Sequence, residues 1–449
     1  MLGKFLIQAA ANNAAAVTPG PTPTPTPVIT NWILKILDNN DGDISILGDN
    51  LYYYGKALGA GAGYLMKYTL DGSLSWQRQF STGALRTFKG QGINASSNGI
   101  YLTGTDTAKG TYVSPDAKIV MVKYNNTGSL LWSKALERPS GSTAKFPNMS
   151  ASPLVDSSGN IYIVGATDDL VVIKYSPLGT LEWQKSYSLS NVASVNSVIG
   201  PDGNLYVSAY CYGNNVPTVN TAIYKISPEG IILTTYQINN LRGKAIFLDD
   251  ESKIYVSGEL VDSGEKPTIV KINQSAPWAI EWQKVITSEQ EGLVSGYSSI
   301  GMSGNEIYFF GTRTFAIDTN VGLPMLTYDK TGLFVRARKI GDLNGYVTST
   351  DFAIDSSNNI YPVFRSQENT PGLGNQNMFV TKLPNDGTKT GTYPGDYEEI
   401  FYESESITTT DGSLTLASVT PTTSNYTLEE VDITISDSSS SVQYAKTNI

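Results

Sequence analysis

One unit recurs along the 449-residue chain and restricts what it can become. In its fullest copy it reads Asp156-Ser-Ser-Gly-Asn-Ile-Tyr-Ile-Val-Gly165, then Leu170-Val-Val-Ile-Lys-Tyr175, then Gly179-Thr-Leu-Glu-Trp-Gln-Lys-Ser-Tyr187. A turn leads into an apolar run ending on glycine, and a second run closes on Lys-Tyr. A second turn then leads into a run centred on tryptophan. Short runs rich in β-branched and aromatic residues, bounded by Gly and Asp/Asn, are strands.

The run ending on a small residue occurs at 51–55, 100–104, 161–165, 205–209, 254–258, 307–311 and 360–364, with starts 49, 61, 44, 49, 53 and 53 residues apart. That period suits four short strands and their turns. The Lys-Tyr run, or a relative of it, follows each time, at 65–68, 121–124, 172–175, 223–226, 269–272, 325–328 and 379–383. The tryptophan run follows the first six, carrying Trp76, Trp132, Trp183 and Trp282, and is degenerate at 231–236 and 333–337. After 379–383 it is missing, and its counterpart stands at the front of the chain as residues 31–37 with Trp32.

A strand moved from the end of a cyclic array to its beginning is what a ring needs in order to close. The expected fold is all-β: a seven-bladed β-propeller over residues 30–390, closed by an N-terminal strand, which leaves no open edge. An open solenoid would need caps and gives no reason for the displaced strand. Trp32 would close the ring, and Trp76, Trp132, Trp183 and Trp282 would pack between blades. The recurrent lysine is expected on an outward or inter-blade position, its stem along apolar surface. Asp71-Gly72, Asp202-Gly203 and Asp386-Gly387 mark tight turns. On these residues the units resemble the SBBP-type seven-bladed propeller repeat family, most closely over 156–183 and 202–225, a resemblance that implies the fold but no activity.

The flanks differ from the repeat. Residues 1–17 form a small, Ala-rich head with Phe5, Leu6 and Ile7 as its apolar residues, and the alternating Pro/Thr of 18–29 makes a polyproline II spacer. The head lacks a full signal-peptide apolar region. Residues 391–449 form a Ser/Thr-rich C-terminal extension with strand-like alternation at 413–419 and 426–435. Two or three strands alone are marginal, so this segment is expected to pack on the propeller or on a partner chain.

Composition removes several function classes. Histidine is absent, which excludes His-dependent triads and His-ligated zinc. A net charge of −10 argues against a nucleic-acid surface. No apolar stretch is long enough for a membrane-spanning helix. The one cysteine, Cys211, forms no intrachain disulfide and excludes the vicinal pair common in quinoproteins; it reads as a buried small residue. Residues 69–76 only echo a sialidase Asp-box, and no carboxylate pair is marked for glycoside hydrolysis. Residues 38–43 miss the calcium-loop register and read as a polar turn. No catalytic residue, cofactor or metal ligand is therefore expected.

The first expectation for function is a non-enzymatic virion structural or attachment protein. Its opening residues resemble those of bacteriophage structural proteins. The head, through Phe5, Leu6 and Ile7, would dock on other virion proteins in a multi-copy assembly, while the propeller meets a protein or host-surface glycan. The alternative is a secreted or surface-anchored bacterial carbohydrate-binding propeller using Tyr-rich loops such as 209–212. A polysaccharide-degrading enzyme stands behind both.

Overall fold

The computed structural model describes residues 31–36, 39–57, 62–81, 86–108, 117–138, 148–149, 152–188, 191–213, 216–261, 266–288, 294–313, 322–342, 345–368, 376–384, 391–394, 399–404, 407–419, 421–425, 429–431, 436–439 and 444–448. The docking residues Phe5, Leu6 and Ile7, the spacer and the turn at 386–387 lie outside them.

Seven antiparallel sheets follow one another in chain order. Blade 1 runs Asn39–Leu47, Asn50–Ala57, Ala62–Thr69, Leu74–Ser81, and blade 2 runs Arg86–Ser96, Gly99–Ala108, Lys118–Tyr124, Leu130–Glu137. Blade 3 has a split inner strand, Asn148–Met149 and Leu154–Val155, then Ile161–Ala166, Leu170–Tyr175 and Leu181–Ser188. Blade 4 is Val192–Ile199, Leu205–Gly213, Val216–Ile226, Ile232–Asn239, and blade 5 is Leu241–Leu248, Ile254–Leu260, Lys266–Asn273, Ala279–Ser288. Blade 6 is Val294–Ser303, Glu306–Arg313, Leu323–Asp329, Phe334–Asp342. Blade 7 takes Gly345–Ile354, Ile360–Glu368 and Gln376–Lys382 from late in the chain and its fourth strand, Trp32–Ile36, from the start. Trp32 pairs with Lys382 and Ile36 with Met378. The inner strand of blade 7 meets that of blade 1, so the ring is closed. The fold is a seven-bladed β-propeller.

The core is seven apolar clusters, one between each pair of neighbouring blades. Middle strands face such a cluster on both sides. Ile161–Ala166 and Leu170–Tyr175 are accordingly buried at every position. That is why these runs are continuously apolar where a one-sided sheet would alternate.

The Lys and Trp of the repeat latch each blade to the next. They stand opposite each other as Lys67–Trp76, Lys123–Trp132, Lys174–Trp183, Lys271–Trp282 and Lys382–Trp32. Lys123 donates to Pro177 O at 3.0 Å, Lys271 to Lys330 O at 2.8 Å and Lys382 to Leu70 O at 3.1 Å, each on the following blade's turn. The indoles reach the same turns: Trp32 Nε1 donates to Leu70 O, Trp183 to Pro228 O and Trp282 to Lys330 O. Trp76 lies over Gly128, whose φ of 84° suits the turn and where a Cβ would sit 3.0 Å from the ring. The same lysines ride on second-strand tyrosines, as Lys123 does 4.9 Å from the centroid of Tyr101.

Those tyrosines in turn tether the first turn of their own blade. Tyr162, Tyr206, Tyr255 and Tyr361 donate to Asp156, Asp202, Asp249 and Asp355. Burial alone would raise Asp202, yet Lys225, Asn204 and Tyr206 bring it down to about 2. At the two degenerate copies Thr234 and Arg336 hold the Trp position. Blade 4 substitutes a stack of Tyr236 on Trp278 at 4.9 Å. Arg336 pairs with Glu306 and Tyr308 of its own blade.

The C-terminal segment is distributed around the whole ring. Its strands Glu399–Ser404, Ile407–Asp411, Leu416–Ser418, Thr422–Asn425, Glu429–Val431, Ser436–Ser439 and Tyr444–Asn448 add a fifth strand to blades 6, 5, 4, 3, 2, 1 and 7 in that order. This belt runs against the order of the blades. Gly391–Pro394 pairs outside its first strand, and its last strand covers the closing strand, Asn448 opposite Trp32.

Two local expectations are corrected. The polar turn expected at 38–43 is strand from residue 39 onward, because the inner strand of blade 1 starts there. The Tyr-rich loop expected at 209–212 belongs to strand Leu205–Gly213, in which Cys211 is buried while Tyr212 is 48% exposed.

Candidate channel site

Inner strands build the functional site, and the small residue of the repeat shapes it. Within each blade the inner strand begins, and the second strand ends, on one face of the ring. There the register slips between Asn39 and Gly42, Gly90 and Gly92, Val192 and Ser194, Gly243 and Ala245, Val294 and Ser299, and Ser349 and Asp351. Each slip lies at or next to the small residue of the second strand or its equivalent. At Gly258 a Cβ would fall 2.3 Å from Arg242 O, so a side chain would collide with the crossing backbone. A bulge increases local twist and re-aims the residues beyond it. Here they line the central channel.

The channel holds a cavity of about 610 Å³ lined from all seven blades. Most of its polar lining is hydroxyl, including Ser194, Ser197, Ser298 and Thr350, and its charged lining is Asp43, Lys56, Lys244, Asp351 and Arg365.

Asp43 of blade 1 and Asp351 of blade 7 converge on one backbone N–H. Ile44 N donates to Asp43 Oδ1 at 2.9 Å and to Asp351 Oδ2 at 3.5 Å. Asp43 Oδ2 also accepts from Ile93 N of blade 2 at 2.8 Å and from Ser152 Oγ of blade 3 at 2.6 Å. Ser299 of blade 6 donates to Asp351 at 3.4 Å. Burial first, then the Asp43 carboxylate and the hydrogen bond shared with it, hold Asp351 well above the usual carboxylate range. Together the two side chains tie five consecutive blades, 6, 7, 1, 2 and 3, to one point.

Across the channel, at the junction of blades 4 and 5, buried Glu259 binds Arg242 at 2.9 Å and Lys244 at 3.6 Å. The Arg242 guanidinium lies 5.6 Å from the Tyr210 ring centroid, and the Tyr210 and Tyr212 centroids are 6.0 Å apart. Tyr210 pairs in the sheet with Ser194, a lining residue, while neither tyrosine is itself part of the cavity lining. Burial pushes the Cys211 thiol up to about 12, so it is no nucleophile. Among the described residues no group of three His, Cys, Asp or Glu could hold a metal ion.

The sequence pattern assigned the cavity lining no role: Asp43 stood only in a rejected motif, and the Tyr-rich stretch 209–212 expected to contact sugars is not part of that lining. Trp32, Trp76, Trp132, Trp183 and Trp282 sit at blade junctions on the outer half of the ring, away from the channel.

No protein-family model and no curated protein sequence matches the chain. Solved structures do resemble it in fold. The Dos1 propeller shares 11% identity over 73% of this chain and 75% of its own, with a TM-score of 0.44. Phage phi92 endosialidase shares 10% over 82% and 71%, at 0.43. The polysaccharide lyase Uly1 shares 9% over 77% and 90%, at 0.45. At such identities the likeness is one of fold alone.

Proposed function

We propose that this chain is a non-enzymatic virion structural or attachment protein. Its N-terminal head docks on other virion proteins through Phe5, Leu6 and Ile7, and the propeller is displayed for contact with a neighbouring protein or a host-surface glycan. The observation that carries this reading is the clamp on the closing strand. Anything upstream of Asn31 is joined to the propeller through Trp32–Ile36, which is paired along its length with 378–382 on one side and 444–448 on the other. Tension on the head must break two ladders to free that strand. A Pro/Thr spacer ahead of such a strand suits a body held away from its mount.

The acid pair supports the non-enzymatic part. Glycoside hydrolysis needs two carboxyls at least about 5 Å apart with the sugar between them. Asp43 and Asp351 are hydrogen-bonded to each other, and their remaining acceptors hold backbone and serine. Deleting residues 2–17 should abolish incorporation into particles, with the propeller still folded by circular dichroism; normal incorporation would sink the docking reading. Product analysis on a glycan array tests the other part, since turnover of any bound glycan would overturn it.

A further inference from the structure

We propose that the channel mouth on the bulged face binds the carboxylate-bearing end of a sugar chain. This rests on the reading of the propeller as a glycan-contact module and names its ligand class. The chain carries a net charge of −10, yet the described charged lining of this cavity is three cations, Lys56, Lys244 and Arg365, against two carboxyls. Cations gathered in a concave site of an otherwise acidic body focus field lines and draw in an anionic ligand. Lys244, with Arg242 and Glu259, stands across the channel from the acid pair, so an anion there avoids Asp43.

The rest of the lining suits the remainder of a sugar. Ser194, Ser197, Ser298 and Thr350 supply donors and acceptors in the pattern that ring hydroxyls need. A cavity of about 610 Å³ falls within the range of small-ligand sites, roughly 300–1,000 Å³.

The test titrates the full chain with sodium D-glucuronate, D-glucose and sodium phosphate by calorimetry and NMR. Glucuronate is expected to bind about tenfold or more tighter than glucose, because only it makes the charge-assisted bond. Lys244→Gln is expected to remove that advantage while glucose binding stays unchanged. Lys56→Gln, which leaves the Glu259 group untouched, is a second variant against misfolding. Equal binding of glucuronate and glucose, or wild-type affinity in both variants, overturns the proposal. So does full competition by phosphate with no gain from the sugar ring, which marks a plain anion site. Binding of neutral sugars alone overturns this inference and leaves the glycan-contact reading standing. No sugar binding beside normal particle incorporation removes both and leaves the docking reading.

Discussion

The ring and the belt are both antiparallel β-structure, and they are held by different physics. In the ring, middle strands bury most of their side chains, and those of blade 3 bury all of them; each junction adds a cluster and most add a latch. In the belt, Thr410, Asp411, Ser413, Thr415 and Ser418 are exposed, Tyr402 is buried, and Leu414 and Leu416 are only partly covered. Its attachment is largely ladder hydrogen bonds, with side-chain additions such as the two-way contact of Gln283 with Leu414. Burial supplies most of the stability of a fold, whereas an exchanged hydrogen bond nets only about 1 kcal/mol. The belt thus adds coverage of seven sheet edges, a guard against edge-to-edge pairing, while the ring supplies the stability.

The hardest test of that contrast is Trp32→Ala. It removes a fully buried indole, its bond to Leu70 O and its contact with Tyr361, and should cost about 3–5 kcal/mol in chemical denaturation. A cost below about 1 kcal/mol would mean that the belt strand, not the latch, keeps the ring shut. Next comes Asp43→Asn. An amide nitrogen cannot accept from Ile93 N, Ser152 and Ile44 together, so a loss of about 1–3 kcal/mol is expected from the orphaned donors.

Asp351→Asn should act in the other direction. A carboxyl raised in the folded state favours folding below its unfolded value, and that contribution is lost as pH rises toward the folded one. Wild-type stability should therefore fall over that interval. The variant, which donates to Asp43 without titrating, should lose this slope and match or exceed wild type at pH 7; an unchanged pH profile would show that the pair shares no proton. Smallest of all, Ser418→Ala and Thr423→Ala on the belt should stay within about 0.5 kcal/mol of wild type. Hydrogen exchange then sets the boundary directly: belt amides should exchange well before those of Leu170–Tyr175, and exchange at one common rate would erase the distinction.

Everything repeated locally was legible. The runs at 161–165 and 170–175, the turn signals and the lysine opposite the tryptophan are all set by residues within one blade, because hairpin pairing and two-sided burial leave a mark at short range. Trp32 standing ahead of the array was enough to close the ring. The chemistry of the channel was not legible. Ile44 and Asp351, 307 residues apart, meet only when blade 7 closes on blade 1, and inner strands with one face on an open channel carry no continuous apolar run. The belt was visible as scattered alternation, but not its path, since strands of three to six residues are too short to write a clear pattern. Sequence alone determined the units and their number, through local pairing and burial. Only the tertiary structure decided what the ring encloses and what encircles it, because those contacts join residues that share no local period.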